Sequence, residues 1–386
     1  MTAIQTENDE VRIIDTGVPP TRFARGWHCL GLARDFRDGK PHQVSAFGTE
    51  LVVFAGEDGK LNVLNAFCPH MGGNLAQGTV KGNSIACPFH DWRWQGNGKC
   101  SDIPYARRVP PLARTKSWVT LERNQQLFVW NDPQNRKPPE DVTIPEIAAL
   151  SEEGWTDWTW NKLEVRGSHC REIVDNVVDM AHFFYVHYGM PTYFKNVFEG
   201  HVATQVMHAR PRADAVEASA GTNYDQHNAS DASYYGPSYM IDYLWSDGDR
   251  SHDPDMILIN CHYPVTADSF VLQYGVIAKK PAGVSDEVAD EIAAQIAAGV
   301  AIGFEQDIEI WKSKSRIDNP LLSEEDGPVY QLRRWYEQFY VDVEDIEPEM
   351  TNRFEFEIDT ERALHSWQAE VDANVAAGRS AISTNA

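Results

Sequence analysis

Positive charge is scarce in this chain. Only 34 Lys and Arg stand against 57 Asp and Glu among 386 residues, a formal net charge of -23. A surface of that sign repels phosphate backbones, so nucleic acid is not an expected partner. No apolar run reaches the length of a membrane span. The opening "MTAIQTENDE" is acidic and has no apolar core, so it does not read as a secretory signal. The expectation is a soluble, cytoplasmic protein without membrane contact. Neither G-x-G-x-x-G nor a P-loop occurs, so no nucleotide site is visible. Cysteine is sparse as well, with six residues and no C-x2-C pair. Four of them (Cys29, Cys100, Cys170 and Cys261) are scattered. They read as small buried hydrophobes rather than a disulfide framework. No internal repeat or low-complexity block stands out.

What is present suffices for a large core: 42% hydrophobic residues and 12 Trp, over a length that suggests about two to three domains. From residue 26 to 130 short strand patterns alternate with Gly turns, as in "ELVVFAGEDGKLNVLNAFC" with its turn at 57–59, "SIACPFHDWRW" and "QLFVWND". They suggest a small all-β domain. Residues 131–147 hold four prolines and many polar side chains and read as a linker. Residues 148–378 are mixed. A helix pattern at about 172–187 precedes strand patterns such as "SYMIDYLW", "DMILINCHYPV" and "SFVLQYGVIAKK", which suggest an antiparallel sheet. A long helix is expected from Ser285 as N-cap, with Asp286 and Glu287 in its first turn, to about Lys314. Further helices are expected at 328–340 and in "DTERALHSWQAEVDANVAAG". The tail 379–386 reads as disordered. The fold class is therefore α+β.

Chemistry concentrates in "CPHMGGNLAQGTVKGNSIACPFH". Cys68 and His70 form C-x-H, and Cys87 and His90 form C-x2-H. Two thiolates and two imidazoles could hold tetrahedral zinc. A two-Cys, two-His zinc finger, however, groups like with like, whereas each cluster here mixes one of each. The mixed pairs suit a dinuclear cluster in which one iron takes both thiolates and the other both imidazoles, a Rieske [2Fe–2S] centre. Neutral imidazoles in place of thiolates raise the cluster's potential, so it reads as an electron carrier.

A second constellation lies in "DNVVDMAHFFYVHYG", where Asn176, Asp179, His182 and His187 form N-x2-D-x2-H-x4-H. Residues five apart on a regular helix point about 140° from each other. His182 and His187 can face one metal only if the helix widens or ends between them. A π-bulge within 182–187 is the expected solution. Asp179 lies one turn before His182 and can hydrogen-bond its imidazole. Two histidines need a carboxylate to complete the facial triad of a non-haem Fe(II) oxygenase, and "GFEQDIEIW" offers three. Phe304, Ile308 and Trp311 make an apolar stripe that contains Asp307. Glu305 and Glu309 point about 200° away. A carboxylate on an apolar face is costly unless something pairs it, so Asp307 is the expected third ligand. Asn260, Tyr235 and Met240, with Phe304 and Trp311, are candidates for a large apolar substrate pocket. Asn260 would either meet a polar group of the substrate or line the site near the metal.

Both motifs make the chain resemble a Rieske non-haem iron oxygenase. "TRFARGWHCLG", "CPFHDWRW", "DMAHFFYVHYGMPTYFKN" and "RRWYEQFY" are similar, more narrowly, to the oxygenase component of the 3-ketosteroid 9α-hydroxylases of steroid-degrading actinobacteria. The likeness covers nearly the whole chain. One departure is Asp91, where many members have Gly after the last Rieske histidine. The resemblance implies an N-terminal Rieske domain and a C-terminal helix-grip domain with one Fe(II). It implies a head-to-tail homotrimer, in which the cluster of one subunit serves the iron of the next, with Asn176 and Asp179 at catalytic positions. Asp179 would bridge His182 and a Rieske histidine of the neighbouring subunit, with His90 the favoured one. A separate reductase carrying flavin and [2Fe–2S] would supply electrons from NADH. O2 would be spent on hydroxylating a 3-ketosteroid at C9 in steroid catabolism. Two other readings stay open: a Rieske oxygenase of another specificity, such as an aromatic-ring dihydroxylase or oxidative demethylase, and a Rieske electron carrier without chemistry of its own. Arg93, Lys99, Arg107 and Arg108 could steer an electron donor, although a merely solvated loop is the preferred reading.

Overall fold

The computed structural model describes residues 12–215, 227–281 and 283–382. Its N-terminal half holds ten short strands, Gly26–Leu32 (β1), His42–Ala46 (β2), Thr49–Ala55 (β3), Leu61–Asn65 (β4), Thr79–Lys81 (β5), Ser84–Ala86 (β6), Arg93–Gln95 (β7), Cys100–Asp102 (β8), Thr120–Arg123 (β9) and Gln126–Asn131 (β10). They make three antiparallel sheets, β1-β10-β9, β2-β3-β4 and β5-β6-β7-β8. This is the expected all-β half, and the turn at 57–59 joins β3 to β4.

Eight longer strands follow: Thr159–Arg166 (β11), Gly189–Glu199 (β12), Val202–Pro211 (β13), Asn228–Tyr235 (β14), Tyr239–Trp245 (β15), Met256–Thr266 (β16), Ser269–Ala278 (β17) and Phe354–Glu357 (β18). They form one antiparallel sheet in the order β11-β17-β16-β15-β14-β13-β12-β18. A 28-residue helix, Asp286–Ser313 (α3), packs on β17 and β11. Ser285 caps it by accepting from the Val288 amide at 3.4 Å, with Asp286 and Glu287 in the first turn, as expected. Val329–Glu337 (α4) buries Leu332, Trp335 and Tyr336, and Glu361–Ala376 (α6) buries Trp367 and Val371. Among the described residues no helix is long and apolar enough to cross a membrane.

The helix expected at 172–187 is broken. Arg171–Val174 (α1) runs into a 3-10 turn at Asp175–Val178, Asp179 turns extended, and Met180–Tyr185 (α2) begins again with Asp179 as its N-cap. The apolar periodicity continues across Asp179, which hides the break. What decides it is the Asp179 carboxylate, which accepts from the His182 amide at 3.2 Å and starts a new helix.

The two halves share one core. Trp27, Phe128 and Trp130 pack with Tyr239, Ile259 and Cys261. Ile144 and Ile147 belong to the same cluster, and the Trp27 indole donates to the Val142 carbonyl at 2.9 Å. The segment expected as a linker therefore clamps the seam. Gly26 belongs there because a Cβ would lie 2.3 Å from the Pro237 ring. The tail is placed as far as residue 382. Arg379 pairs with Asn374, and the Ala381 amide donates to the Asp214 carbonyl at 2.9 Å. Residues 383–386 lie outside the described residues.

His28 and His262 are buried at this seam, each 1% exposed. Burial holds His28 down to about 4; burial, then the nearby His28, holds His262 well below the ordinary range. Both are neutral in the fold, whereas the unfolded chain takes up protons below its ordinary value of 6.5. Stability is thus complete above that pH and falls as the pH drops toward 4. His28 alone should cost about 2 kcal/mol at pH 5. Melting curves should show wild type losing more stability between pH 7 and 5 than the His28→Gln/His262→Gln variant. Equal losses would refute the assignment.

Candidate metal centres

The first centre is built on two loops, one after β4 and one between β6 and β7. In the first, the Cys68 amide donates to the Gly73 carbonyl at 2.8 Å and the Gly72 amide donates to the Cys68 carbonyl at 2.9 Å. In the second, the Cys87 amide donates to Trp92 and the Asp91 amide to Cys87, both at 2.9 Å. Each loop thus presents one Cys inward and one His at its tip. Cys68 and Cys87 are buried against Leu75, Ile85 and Trp94. The rings of His70 and His90 lie 4.9 Å apart, with Trp92 stacked on His70 and Phe89 on His90. Gly73 lies so close that a Cβ there would sit 2.7 Å from Cys87 Sγ.

Three observations test this quartet against a metal cluster. Burial pushes the Cys68 thiol up to about 11, so only a metal would draw out its proton at neutral pH. His90 Nδ1 is buried without a hydrogen-bond partner. Among the described residues, only His182, His187 and Asp307 bring three donors within 4.8 Å of one another. The quartet does not converge on one point, as tetrahedral zinc requires. Donors spread in pairs fit a two-iron cluster.

Asp91 departs from glycine at a position with φ of 56°, in the left-handed region. Glycine enters that region without cost, and Asp is among the few other residues that tolerate it. Here the carboxylate is also held by Lys81 at 2.6 Å and Arg93 at 3.0 Å, and these contacts keep it below the usual carboxylate range. Arg93 also pairs with Asp102 at 2.8 Å, so it belongs to the loop's own framework.

The second centre joins α2 to α3. The helix ends between the two histidines instead of widening within: Val186 is its C-cap, and the His182 carbonyl accepts from Val186 at 2.7 Å and from His187 at 3.4 Å. The second of these is a π-type bond, but it stands at the helix end, so the expected internal bulge is replaced by termination. Tyr188 then takes φ of 56°, unusual for a bulky residue, and Gly189 opens β12. The rings of His182 and His187 lie 5.1 Å apart, and His187 Nε2 is 3.4 Å from Asp307 Oδ1. Asn176 Nδ2 donates to Asp307 Oδ2 at 3.0 Å. His182 Nδ1 donates to the Asp179 carbonyl, and His187 Nδ1 lies 3.4 Å from Gln306 Oε1. Both bonds turn Nε2 toward the centre. Burial would raise Asp179, but the contacts with His182 hold its carboxyl below the usual range. Its side chain remains half exposed. Glu305 and Glu309 are exposed, as expected.

An ion network fixes the distance between these elements. Glu172 on α1 meets Lys314 at 2.9 Å and Arg316 at 3.1 Å, just past the end of α3. Asp175 meets Arg316 at 3.4 Å and Arg333 of α4 at 2.7 Å. On the other side, Arg212 donates to the Phe184 carbonyl at 2.9 Å and pairs with Asp214 at 2.8 Å and Glu370 of α6 at 3.3 Å.

A cavity of about 530 Å³ opens beside His182, His187 and Asp307. Asn260, Met240, Phe304 and Trp311 line it, as expected. Tyr235 does not; it packs in the seam core on the opposite face of β14. Met240 pairs with Tyr234, so strand parity turns Tyr234 into the cavity. The sequence reading missed Gln205, Ser230, Asp242 and Gln306. The parity of Met240 would have found Asp242, two residues on.

Comparison with known proteins agrees with this layout. Residues 26–114 match the Rieske [2Fe-2S] domain, and residues 129–340 match the 3-ketosteroid 9alpha-hydroxylase C-terminal domain. The chain belongs to the 3-ketosteroid 9α-hydroxylase family of Rieske oxygenases. A family member from Rhodococcus rhodochrous, a probable 3-ketosteroid-9-alpha-monooxygenase oxygenase component, is 72% identical over 98% of this chain and 95% of its own. Its counterpart from Mycobacterium tuberculosis is 59% identical, over 95% and 94%. Dicamba monooxygenase bound to dicamba has the same fold, with a TM-score of 0.67 at 18% identity over 83% of this chain and 98% of that one. As a member of this family, the chain uses a Rieske [2Fe–2S] cluster, a mononuclear iron and O2.

Two outcomes are expected. Gly73→Ala should abolish the cluster's visible absorption while far-ultraviolet dichroism stays native; a normal spectrum would contradict the close packing. Arg316→Met removes one of the two cations that meet Glu172 and one of the two that meet Asp175, and should cost about 2 kcal/mol. Melting curves and iron counts should show that loss, with mononuclear iron released and cluster absorption kept.

Proposed function

We propose that this chain is the terminal oxygenase of a multicomponent monooxygenase that hydroxylates a 3-ketosteroid at C9, on the α face. The observation that carries the reading is the convergence of His182, His187 and Asp307 within 4.8 Å at the wall of a large, mainly apolar cavity. Cys68, Cys87, His70 and His90 would hold the cluster, and His182, His187 and Asp307 the Fe(II) ion. When bound, these groups supply electrons one at a time and let O2 react, so that one oxygen atom enters the substrate and the other leaves as water.

The chain's own residues do the rest. Asn176 holds the Asp307 carboxylate, and the Asp179 carbonyl and Gln306 fix the two imidazoles, so the three donors are set before a metal arrives. Phe304 and Trp311 flank Asp307 and exclude water around the reacting carbon. Asn260 lines the cavity, and its side-chain Nδ2 is suited to donate to the 3-keto oxygen. The half-exposed Asp179 suits contact with a second subunit in a head-to-tail homotrimer, in which it would bridge His182 to the partner subunit's His90. A reductase with flavin and [2Fe–2S] would supply electrons from NADH in the cytoplasm. Arg107 and Arg108 are exposed near the cluster loops and suit its approach.

A Rieske carrier without chemistry would need neither the donor triad nor the cavity. The deciding experiment is one turnover. Enzyme reduced without oxygen, then given a 3-ketosteroid and O2, should yield a product heavier by one oxygen atom, hydroxylated at C9. About three irons per chain are expected. Two irons per chain and no product would favour the carrier, whereas loss of a methyl group or addition of both oxygen atoms would favour another specificity.

A further inference from the structure

Across the mainly apolar floor of the cavity three polar side chains run along one diagonal, with Gln205 beside it. Asn260 on β16, Asp242 on β15 and Ser230 on β14 all face inward. Register places them on successive rows: Asn260 opposite Met240, Asp242 opposite Leu258 and Ala232, and Ser230 opposite Leu244. Their neighbours are Met240, Leu244, Leu258 and Met256. A carboxyl among such side chains is costly unless it is hydrogen-bonded or paired. The Ser230 hydroxyl donates to Asp242 Oδ1 at 2.7 Å, and among the described residues the other carboxyl oxygen has no partner.

The spacing along this diagonal matters. With strands about 4.8 Å apart and a rise of about 3.3 Å per residue, the Asn260 and Asp242 backbones lie ~8 Å apart, and those of Asn260 and Ser230 ~16 Å. The Asp242–Ser230 pair is thus centred ~12 Å from Asn260, comparable to the length of a fused four-ring nucleus. Asn260 shares its row with Tyr274, whose ring packs 4.9 Å from Phe304, close to Asp307. The pair lies nearer the exposed end, where Asn228 and Ser246 line the opening.

We propose that Asp242, oriented by Ser230, donates a hydrogen bond to a carbonyl oxygen at the end of the substrate opposite Asn260, and so selects steroids that carry oxygen at both ends. This rests on the functional reading above. A ketone only accepts, so Asp242 must be a neutral acid to serve. Burial raises it to about 7, opposed by the Ser230 hydroxyl and aided by Asp231. Asp231 faces the other side of β14 and is paired with Arg250 at 2.7 Å. β13 offers the neutral Gln205 and β16 no charge in this row, while across the cavity stand His182, His187 and Asp307. A buried acid kept neutral so that it can donate is an established way to hold a carbonyl.

The test is anaerobic calorimetric titration of the intact oxygenase with two 3-ketosteroids, one with a D-ring ketone and one with a methylene there. Wild type should bind the diketone about tenfold more tightly at pH 6, the worth of one hydrogen bond. The preference should fade as the pH rises through 7. Asp242→Leu should remove the preference. Asp242→Asn, which keeps a donor, should retain it but lose its pH dependence. Steady-state assays should place these changes in KM rather than kcat. Equal binding of the two steroids by wild type, or a preference surviving in Asp242→Leu, overturns the proposal. Failure to oxidise any 3-ketosteroid would instead overturn the functional reading.

Discussion

Everything at the second centre depends on holding together two segments more than a hundred residues apart in sequence. His182 and His187 belong to one, Asp307 to the other, and their donors lie within 4.8 Å. Three bare donors so close do not attract one another enough to hold that geometry. The fold holds it from behind, through Glu172 and Asp175 on one segment and Lys314, Arg316 and Arg333 on the other. Such buried charges contribute little net stability against apolar replacements. Their contribution is registry: they oppose sliding of α1 and α2 relative to α3.

The first centre uses the opposite strategy. Its four donors come from two tight loops only sixteen residues apart, braced by backbone hydrogen bonds and by a glycine that lets a sulfur approach. Little of the rest of the fold is needed to shape it. The two halves are nonetheless one body. They share the core around Trp27 and Trp130, and residues 131–147 are packed into that core. The exposed Phe67, Met71, Phe89 and Tyr105 around the cluster loops remain as apolar surface on the far side.

Much of this was legible in the sequence because metal-binding residues come in local patterns. Spacing found both histidine pairs, and helical periodicity separated Asp307 from Glu305 and Glu309. What failed did so for physical reasons. Apolar periodicity runs straight through Asp179, so a helix break made by one side chain accepting one amide was invisible. Tyr234 and Tyr235 are both aromatic, and only pairing with Met240 shows which enters the cavity. Prolines and polar residues in 131–147 suggested a linker, and nothing in that composition showed that Ile144 and Ile147 would be buried. Asp242 drew no attention, since an acid in a strand ordinarily faces water.

The clamp on Phe184 ties the second centre to α6. Arg212 grips the C-terminal turn of α2 while it pairs with Asp214 and with Glu370 of α6, and Trp367 stacks on the Phe184 ring at 4.8 Å. Residues beyond 360 are therefore part of the packing that holds the histidine helix. The cluster loops are complete some 270 residues earlier. The first centre is thus shaped by a short local stretch, whereas a truncation that removes α6 would strip the histidine helix of its support.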